Sequence, residues 1–326
     1  MNLAPLTGKY FSENLKTEKT MRITFSIAIL VIAVILMLFW TPLRDTRSAY
    51  ALVSFTVTSP VVLYFFRAVT ILGSEGFFLV MFSIIFWSYN KALGFFGLVF
   101  MPMAIFITSE IPKDMIRLPR PDVRGVTVPT YTFPSGHTSG AVSVWGFLAI
   151  NFKKRWLWAL SIMIIVLVGL SRVMLGYHFP GDVLGGIIAG SVLLVILFGL
   201  GSKLEPGILK KYSFPTLLAA AVLIPLVLSF IPAVYAPNLM GYVAGAALGF
   251  LLEGKVLNYD PRGNLWQHLL RIIIGLIVIA VVLLELEPIL PRAAGLLTFT
   301  CFALSTFWVT FLAPLLFVKI GLARKM

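Results

Sequence analysis

Long, uninterrupted apolar runs are the feature that most constrains what this chain can fold into. Two of them, ITFSIAILVIAVILMLFW at 23–40 and VLGGIIAGSVLLVILFGL at 183–200, contain no charged residue. A helix needs about 20 apolar residues to cross the hydrocarbon core of a bilayer, and runs without alternation exclude a membrane β-barrel. Only 12% of the 326 residues are charged, about half the share in soluble proteins. The sequence therefore predicts an all-α, polytopic membrane protein.

Ten such runs predict ten membrane spans. They lie at 23–41, 75–89, 94–111, 138–152, 157–173, 183–200, 214–234, 239–252, 272–286 and 295–318. The first six form a predicted core at 23–200, which follows a cytoplasmic N-terminal segment at 1–22. About four more spans form a C-terminal membrane extension at 201–326. The first run lacks a small-residue cleavage site and precedes further spans, so we predict a retained helix rather than a signal peptide.

The basic residues predict how the chain crosses the membrane, because cytoplasmic loops are enriched in Lys and Arg. With ten spans and both termini in the cytoplasm, 17 of the 26 Lys and Arg residues fall on the cytoplasmic side. The loops 112–137 and 174–182 then face the extracytoplasmic side. Residues 52–71 are apolar but contain Pro60 and Arg67. A span here would reverse every later loop, so an interfacial helix is predicted instead.

Two other features exclude further classes of protein. The single cysteine, Cys301, lies in an apolar run, which predicts neither a disulfide framework nor a thiolate metal cluster. The formal net charge of +13 is carried by short loops, and no basic run is interleaved with aromatic residues. The charge therefore indicates topology and attraction to anionic lipid rather than nucleic-acid binding.

Three polar segments interrupt the apolar pattern on the predicted extracytoplasmic side. We call these segments islands. The first island is KDMIRLPRPD at 113–122, the second is PSGH at 134–137, and the third is SRVMLGYHFPGD at 171–182. The islands hold two of the three histidines in the chain, His137 and His178. We therefore expect the chemistry of this protein where the islands meet.

The islands have the residue types that bind phosphate. The cations Lys113, Arg120 and Arg172 can hold phosphate oxygens. For each cation taken alone, the competing interpretation is a basic side chain that extends its charge to the membrane interface. Ser135 is a good N-cap for the apolar helix that follows, and Gly136 lets a ligand approach the backbone closely. The exposed N–H groups of a helix start also favour a phosphate.

His178 and Asp182 are four residues apart, which suits a catalytic pair. The carboxylate of Asp182 can accept from one imidazole nitrogen and fix the tautomer, while capping of the helix that begins at Pro180 is the competing interpretation. Two histidines and an aspartate could also form a facial metal site, but the three nearby cations would repel a divalent ion. The islands therefore favour a multiply charged anion and predict no metal ion or other cofactor.

With these residues and spacings, the sequence resembles the type-2 phosphatidic acid phosphatase family of membrane lipid phosphatases. The family signature, K-x6-RP, PSGH and SR-x5-H-x3-D, is matched at every spacing, and the resemblance covers about residues 23–200. It implies a hydrolase that forms a phosphohistidine on His178, oriented by Asp182, while His137 protonates the leaving group. It also implies that the phosphoryl oxygens are held by Lys113, Arg120, Ser135, Gly136 and Arg172.

The resemblance implies a lipid phosphate as the substrate, without specifying the lipid. Phosphatidic acid, phosphatidylglycerophosphate, polyprenyl diphosphate and sphingoid phosphate types all remain open. A phosphotransferase that uses the same site is a competing function. A transporter or flippase is another, and it is disfavoured because the charges gather at the membrane ends rather than within spans.

The extension at 201–326 exceeds the core of that family and leaves open a homo-oligomer formed through its spans. Small-residue spacing predicts close helix packing at Gly181, Gly185, Gly186, Gly190, Gly241, Gly245 and Gly249. The cytoplasmic loop between two of the added spans is predicted to be solvated and salt-bridged rather than a second site, through Glu253, Lys255, Asp260 and Arg262.

Overall fold

A computed structural model describes residues 40–123, 130–201, 211–281 and 295–326, with residues 27, 31, 33–35 and 38. Most of the predicted segments 1–22 and 23–41 and part of the predicted span 272–286 lie outside the described residues. Within the described ranges the chain is helical, and the single β-bridge joins Tyr259 and Lys325. The all-α prediction is confirmed.

Eleven helices follow one another along the described ranges. Their bounds are α1 Thr46–Thr58, α2 Pro60–Ile71, α3 Glu75–Ser88, α4 Lys91–Ile116, α5 Gly136–Phe152, α6 Arg155–Met174, α7 Pro180–Gly201, α8 Phe214–Leu228, α9 Ala236–Leu257, α10 Leu265–Val281 and α11 Gly295–Lys319. Five of these, α4, α6, α7, α9 and α11, are long and apolar enough to cross a membrane, and α3, α8 and α10 are shorter apolar helices. The chain is a multi-pass integral membrane protein.

The segment 52–71 was predicted to form one interfacial helix, and the structure differs from this prediction. It belongs to two helices, α1 and α2, whose axes differ by 108°. The backbone of Ser59 is extended, with φ −113° and ψ 104°, and Pro60 has no N–H to continue the helical hydrogen bonds. Together the two helices have the length and composition of one broken span or of a re-entrant loop. A re-entrant loop enters and leaves the membrane on one side, so it keeps the predicted sides of the later loops.

Two helices extend further into charged sequence than predicted. Helix α4 continues beyond residue 111 through a π-helical turn and ends at Ile116, before a left-handed Arg117. Lys113 therefore lies on a helix, whereas the sequence placed it in the loop 112–137.

Helix α10 begins at Leu265 rather than 272 and includes Arg271, which is fully buried. The Arg271 guanidinium donates to the carbonyl oxygens of Leu322, Pro261, Arg262 and Trp87. These acceptors explain how a helix can carry a buried cation.

The extension was predicted to have a solvated, salt-bridged cytoplasmic loop from Glu253 to Arg262. The structure agrees with this prediction at Asp260 and Arg262 and differs from it at Glu253. Asp260 and Arg262 form an exposed ion pair. Glu253, by contrast, lies in the last turn of α9, is buried, and pairs with Lys91 at 3.1 Å while accepting from the backbone N–H of Tyr259 at 2.7 Å. A carboxylate in a solvated loop was expected there, and a buried ion pair within the protein was found.

The described residues divide into two compact units. One combines Phe78–Met103 with the described part of Leu204–Met326, and the second combines the described residues up to Phe77 with Ala104–Lys203. The predicted division at residue 200 stays a prediction. All three islands belong to the second unit.

Helix α5 is the centre of the second unit. Every residue from Thr138 to Ile150 is buried, and α7 approaches it through glycines, as predicted. A Cβ atom at Gly186 would lie 2.7 Å from the carbonyl oxygen of Ser135, and one at Gly190 would lie 2.8 Å from that of Ser139. This close approach holds the start of α5, with the second island, against the start of α7, with the end of the third.

In the other unit, the predicted glycine contacts join α9 to α11, and they give the first testable prediction. A Cβ atom at Gly245 would lie 1.9 Å from the carbonyl oxygen of Ala303. Gly245→Ala is therefore expected to lower the free energy of unfolding by about 1–3 kcal/mol. The thermal midpoint of the purified protein in detergent, followed by tryptophan fluorescence, measures this loss. Gly295→Ala is the matched control, because its Cβ atom would lie 3.9 Å from the nearest atom, in Pro237. Equal midpoints for the two variants would contradict the packing argument.

Candidate active site

The third island links two membrane helices by a short connection that carries His178. Helix α6 ends at Met174 and α7 begins at Pro180. The backbone N–H groups of Tyr177 and His178 both donate to the carbonyl oxygen of Arg172, at 3.0 and 3.2 Å. The connection is thus folded back on the end of α6, which fixes the direction of the His178 side chain.

Asp182 lies in the first turn of α7 and faces the imidazole of His178, as the four-residue spacing predicted. The Nδ1 atom of His178 is 3.6 Å from Oδ2 of Asp182. Thr132 lies between them, because its hydroxyl oxygen is 3.1 Å from Nδ1 and donates to Oδ2 at 2.5 Å. The backbone N–H of Phe179 also donates to Oδ2, at 2.8 Å. The carboxylate therefore caps the helix and also lies against the imidazole. Its role in orienting His178 for catalysis stays a prediction.

The electrostatic environment keeps His178 neutral. Burial lowers the pKa of its imidazole to about 3, against the opposing effect of the neighbouring Asp182 carboxylate and with a further lowering by Arg172 and Arg120. At neutral pH the ring is therefore uncharged. With Nδ1 directed at Asp182 and Thr132, the proton belongs on Nδ1, and Nε2 keeps its lone pair. Nε2 lies 3.4 Å from Nη1 of Arg120.

The second island begins helix α5, as predicted from Ser135. The Ser135 hydroxyl oxygen accepts from the Thr138 hydroxyl at 3.0 Å and caps the helix, while the Ser135 backbone N–H donates to the carbonyl oxygen of Asp182 at 3.0 Å. A Cβ atom at Gly136 would lie 2.8 Å from Oγ of Ser109 and 3.5 Å from Nζ of Lys113. Glycine therefore leaves space between the start of this helix and the lysine ammonium.

His137 is the second residue of α5, and its side chain is partly exposed. The charges of Arg172, Lys113 and Arg120, together with His178, act directly on its imidazole. Residues of all three islands are therefore close to His137, which stands at their meeting point.

The three cations are held in different ways. Lys113 is buried, and its ammonium donates to Oε1 of Glu110 at 2.7 Å. The Arg120 guanidinium donates to the carbonyl and hydroxyl oxygens of Thr130 and, at 2.8 Å, to the carbonyl oxygen of Tyr177.

Arg172, also buried, donates to the Thr70 hydroxyl at 2.8 Å and lies 4.3 Å from the centre of the Tyr177 ring. Burial argues against the interpretation of Lys113 and Arg172 as side chains that extend their charge to the membrane interface.

Four residues of this arrangement were missing from the prediction. They are Thr70, Glu110, Thr132 and Arg44, the last of which forms an ion pair with Asp182. Glu110 stands three residues before Lys113 on one helix, and this spacing could have indicated the pair. Thr132 is two residues before the second island, but no pattern marks it. Arg44 is far from every island in sequence, and only the fold brings it near.

The described residues include no group of three or more His, Cys, Asp and Glu side chains arranged to hold a metal ion. The geometry is instead that of a buried, neutral histidine beside cations and a helix start. Independence from metal stays a prediction.

Comparisons with known proteins were consistent with this geometry. A model described as the PAP2 superfamily matches residues 92–205, and a model described as the PAP2 superfamily phosphatase transmembrane extension matches residues 237–325. The first match contains the three islands, and the second lies within the predicted extension.

Individual relatives are similar over parts of their length. Phosphatidylglycerophosphatase B of Bacillus subtilis is 33% identical over 109 residues, which cover 30% of this chain and 54% of the relative. Sphingosine-1-phosphate phosphatase 2 of Mus musculus is 24% identical over 211 residues, which cover 58% of each protein. The chain thus spans little more than half the length of these two curated relatives. Undecaprenyl-diphosphatase BcrC of B. subtilis is 34% identical over 75 residues, which cover 23% of this chain and 38% of the relative.

Among solved structures, the crystal structure of a transmembrane PAP2 type phosphatidylglycerolphosphate phosphatase from B. subtilis is similar. Its sequence is 24% identical, the match covers 56% of this chain and 97% of that one, and the TM-score is 0.42.

Proposed function

Since this chain belongs to the PAP2 superfamily, we propose that it is a lipid phosphatase, which hydrolyses a phosphate monoester or diphosphate of a membrane lipid. The observation that carries the proposal is the buried imidazole of His178, whose Nδ1 faces Asp182 and whose Nε2 lies 3.4 Å from Nη1 of Arg120. The names of the relatives describe a glycerolipid phosphate, a sphingoid phosphate and an isoprenoid diphosphate. These lipids share a terminal phosphate and differ in their tails, so the proposal concerns the phosphate.

In the proposed first step, Nε2 of His178 attacks the terminal phosphorus atom. The bond from that phosphorus to the oxygen of the leaving group breaks. The imidazole gains positive charge as it attacks, and the Asp182 carboxylate beside Nδ1 stabilises that charge. The negative charge of the bound phosphate offsets the cations around His137 and favours its protonated form. This imidazolium gives its proton to the departing oxygen. The products of the step are a phosphohistidine and the lipid alcohol, or the lipid monophosphate when the substrate is a diphosphate.

In the second step, water attacks the phosphorus atom and the bond to Nε2 breaks. His137, left unprotonated by the first step, accepts the proton of that water, and inorganic phosphate leaves. Lys113, Arg120 and Arg172 hold the phosphoryl oxygens through both steps, together with the backbone at Ser135 and Gly136. Positioning and charge stabilisation of this kind dominate phosphoryl transfer.

Phosphate release by the purified chain in detergent tests the proposal. We expect release from at least one lipid of a panel with phosphatidic acid, phosphatidylglycerophosphate, sphingosine phosphate and undecaprenyl diphosphate, at an equal rate with excess EDTA. Brief reaction with ³²P-labelled substrate, followed by an alkaline quench, is expected to trap acid-labile label on the protein. Release from no lipid of the panel would refute the proposed function, and loss of activity with EDTA would refute the metal-independent mechanism.

The site is also proposed to face the extracytoplasmic side of the membrane, with both termini in the cytoplasm. The support is the excess of Lys and Arg in the loops on the opposite side. Asp122, in the first island, and Lys154, directly after α5 and Lys153, are both exposed. The site lies at the start of α5, at Gly136, and Lys154 follows the end of that helix at Phe152. The two ends of the helix are about 26 Å apart.

Cysteine labelling tests this orientation. In a Cys301→Ser background, Asp122→Cys is expected to react with a membrane-impermeant maleimide in intact cells, and Lys154→Cys is expected to react only after permeabilisation. The two variants are controls for each other, since each should be fully labelled in permeabilised cells. The reverse pattern would place the site in the cytoplasm.

A further inference from the structure

Arg44 reaches the proposed active site from outside the three islands and from outside residues 92–205, which the family model matches. It ends a short 3₁₀ turn, Pro42–Arg44. Its Nη1 atom donates to Oδ1 of Asp182, and its Nη2 atom donates to the carbonyl oxygen of Pro119 at 3.0 Å. The Arg44 side chain is 12% exposed and that of Asp182 is fully buried, so solvent screens this ion pair little.

Aromatic side chains fix the plane of the Arg44 guanidinium. Its central carbon lies 4.5 Å from the ring centre of Phe179 and 5.3 Å from that of Trp40. Trp40 in turn packs edge-on against Phe133, with the ring centres 5.6 Å apart. Pro119, Phe133 and Phe179 each belong to an island or directly precede one. The segment 40–44 therefore touches the chain at all three islands.

The contacts of Asp182 divide between its two oxygens. Oδ2 accepts from the Thr132 hydroxyl and the Phe179 N–H and faces Nδ1 of His178. Oδ1 accepts from Arg44. Without the guanidinium, a buried carboxylate would lose its counter-charge, and it would take up a proton or rotate to recover a donor. Either change would weaken the acceptor that Oδ2 presents to His178.

Arg44 is not directed at the phosphate. Its two terminal nitrogens are engaged by Asp182 and Pro119, whereas Lys113, Arg120 and Arg172 surround His137 and His178. We propose that Arg44 is a positioning residue of this site, which holds the Asp182 carboxylate ionised and oriented toward Nδ1 of His178. The inference rests on the proposed phosphatase function and adds to its machinery a residue that the family signature lacks.

This role predicts an effect on the chemical steps rather than on substrate binding. Arg44→Met is expected to lower kcat for phosphate release about 10- to 100-fold, the range seen for outer partners that orient catalytic ligands, and to leave KM within about twofold. Arg44→Lys restores a cation next to Oδ1 and is expected to regain most of the lost rate. Methylguanidinium added to Arg44→Met is expected to raise its kcat, since it supplies the missing group.

Arg47→Met is the matched control, because Arg47 is an exposed arginine three residues further along the chain. It is expected to keep the kcat and KM of the unchanged chain. Thermal midpoints of all variants in detergent separate folding from chemistry, and if Arg44→Met does not fold, Arg44→Gln takes its place. A folded Arg44→Met or Arg44→Gln protein with unchanged kcat, or with raised KM alone, would overturn the inference. Failure of the unchanged chain and Arg47→Met to release phosphate would instead refute the proposed function.

Discussion

Phosphate release by His178→Ala is expected to fall by about 10⁴-fold or more, because a nucleophile cannot be replaced by the groups around it. The alanine leaves the backbone of the connection between α6 and α7 in place, so substrate binding should be affected far less than turnover. The measurement is the rate of phosphate release over long incubation, with the thermal midpoint as a check on folding. Label trapped from ³²P-substrate should disappear together with turnover.

His268→Ala is the matched control for this variant. His268 is the third histidine of the chain and lies on α10, in the other compact unit. Its replacement is expected to leave release and trapped label unchanged. Full turnover by His178→Ala would show that the nucleophile is another group. Trapped label without turnover in that variant would contradict the assignment of the phosphohistidine.

The sequence was sufficient to predict that the three islands meet. Their spacing within the family signature implied one site, and the structure brings Arg120 within 3.4 Å of His178 and joins Ser135 to Asp182 by a backbone hydrogen bond. Gly136 and Ser135 were also predictable, because a cap residue before an apolar run marks a helix start and a glycine there leaves space for a ligand. These features depend on local sequence and on a fixed order of motifs.

The partners of the islands were not predictable in the same way. Thr132 reaches both His178 and Asp182 from a loop, and a single threonine before a motif has no distinguishing pattern. Arg44 is 138 residues from Asp182, and in sequence it appeared as one of nine basic residues on the extracytoplasmic side. Pairing over such a distance depends on tertiary packing, which hydrophobic periodicity does not encode.

Helix ends near charges were misjudged for a related reason. The predicted spans ended at 111 and 252 and began at 272, short of Lys113, Glu253 and Arg271, and an unpaired charge in lipid is costly. Lys113 pairs with Glu110, Glu253 pairs with Lys91, and Arg271 donates to backbone carbonyl oxygens. Each charge is therefore compensated inside the protein, and the helices continue through them.

Asp182→Asn is expected to lower phosphate release about 10³- to 10⁴-fold, comparable to the effect of neutralising the aspartate of a catalytic triad. The carboxylate accepts from the Arg44 guanidinium, the Thr132 hydroxyl and the Phe179 N–H, and it faces the N–H of His178. An asparagine presents one oxygen and one NH₂ group to these donors. Whichever way the amide turns, its NH₂ group meets donors, and His178 loses the charge that stabilises it during attack.

The same substitution should also destabilise the protein, by about 3–5 kcal/mol, because Arg44 would remain near a partner without charge. Chemistry and stability can be separated by a double-mutant cycle. If Arg44 acts through Asp182, then Arg44→Met should lower kcat in the unchanged chain but should cause little further loss in the Asp182→Asn protein. Thermal midpoints of the four proteins report the stability of the pair independently of turnover. Equal factors of loss in kcat on both backgrounds would mean that Arg44 contributes to catalysis by a route that does not pass through the carboxylate.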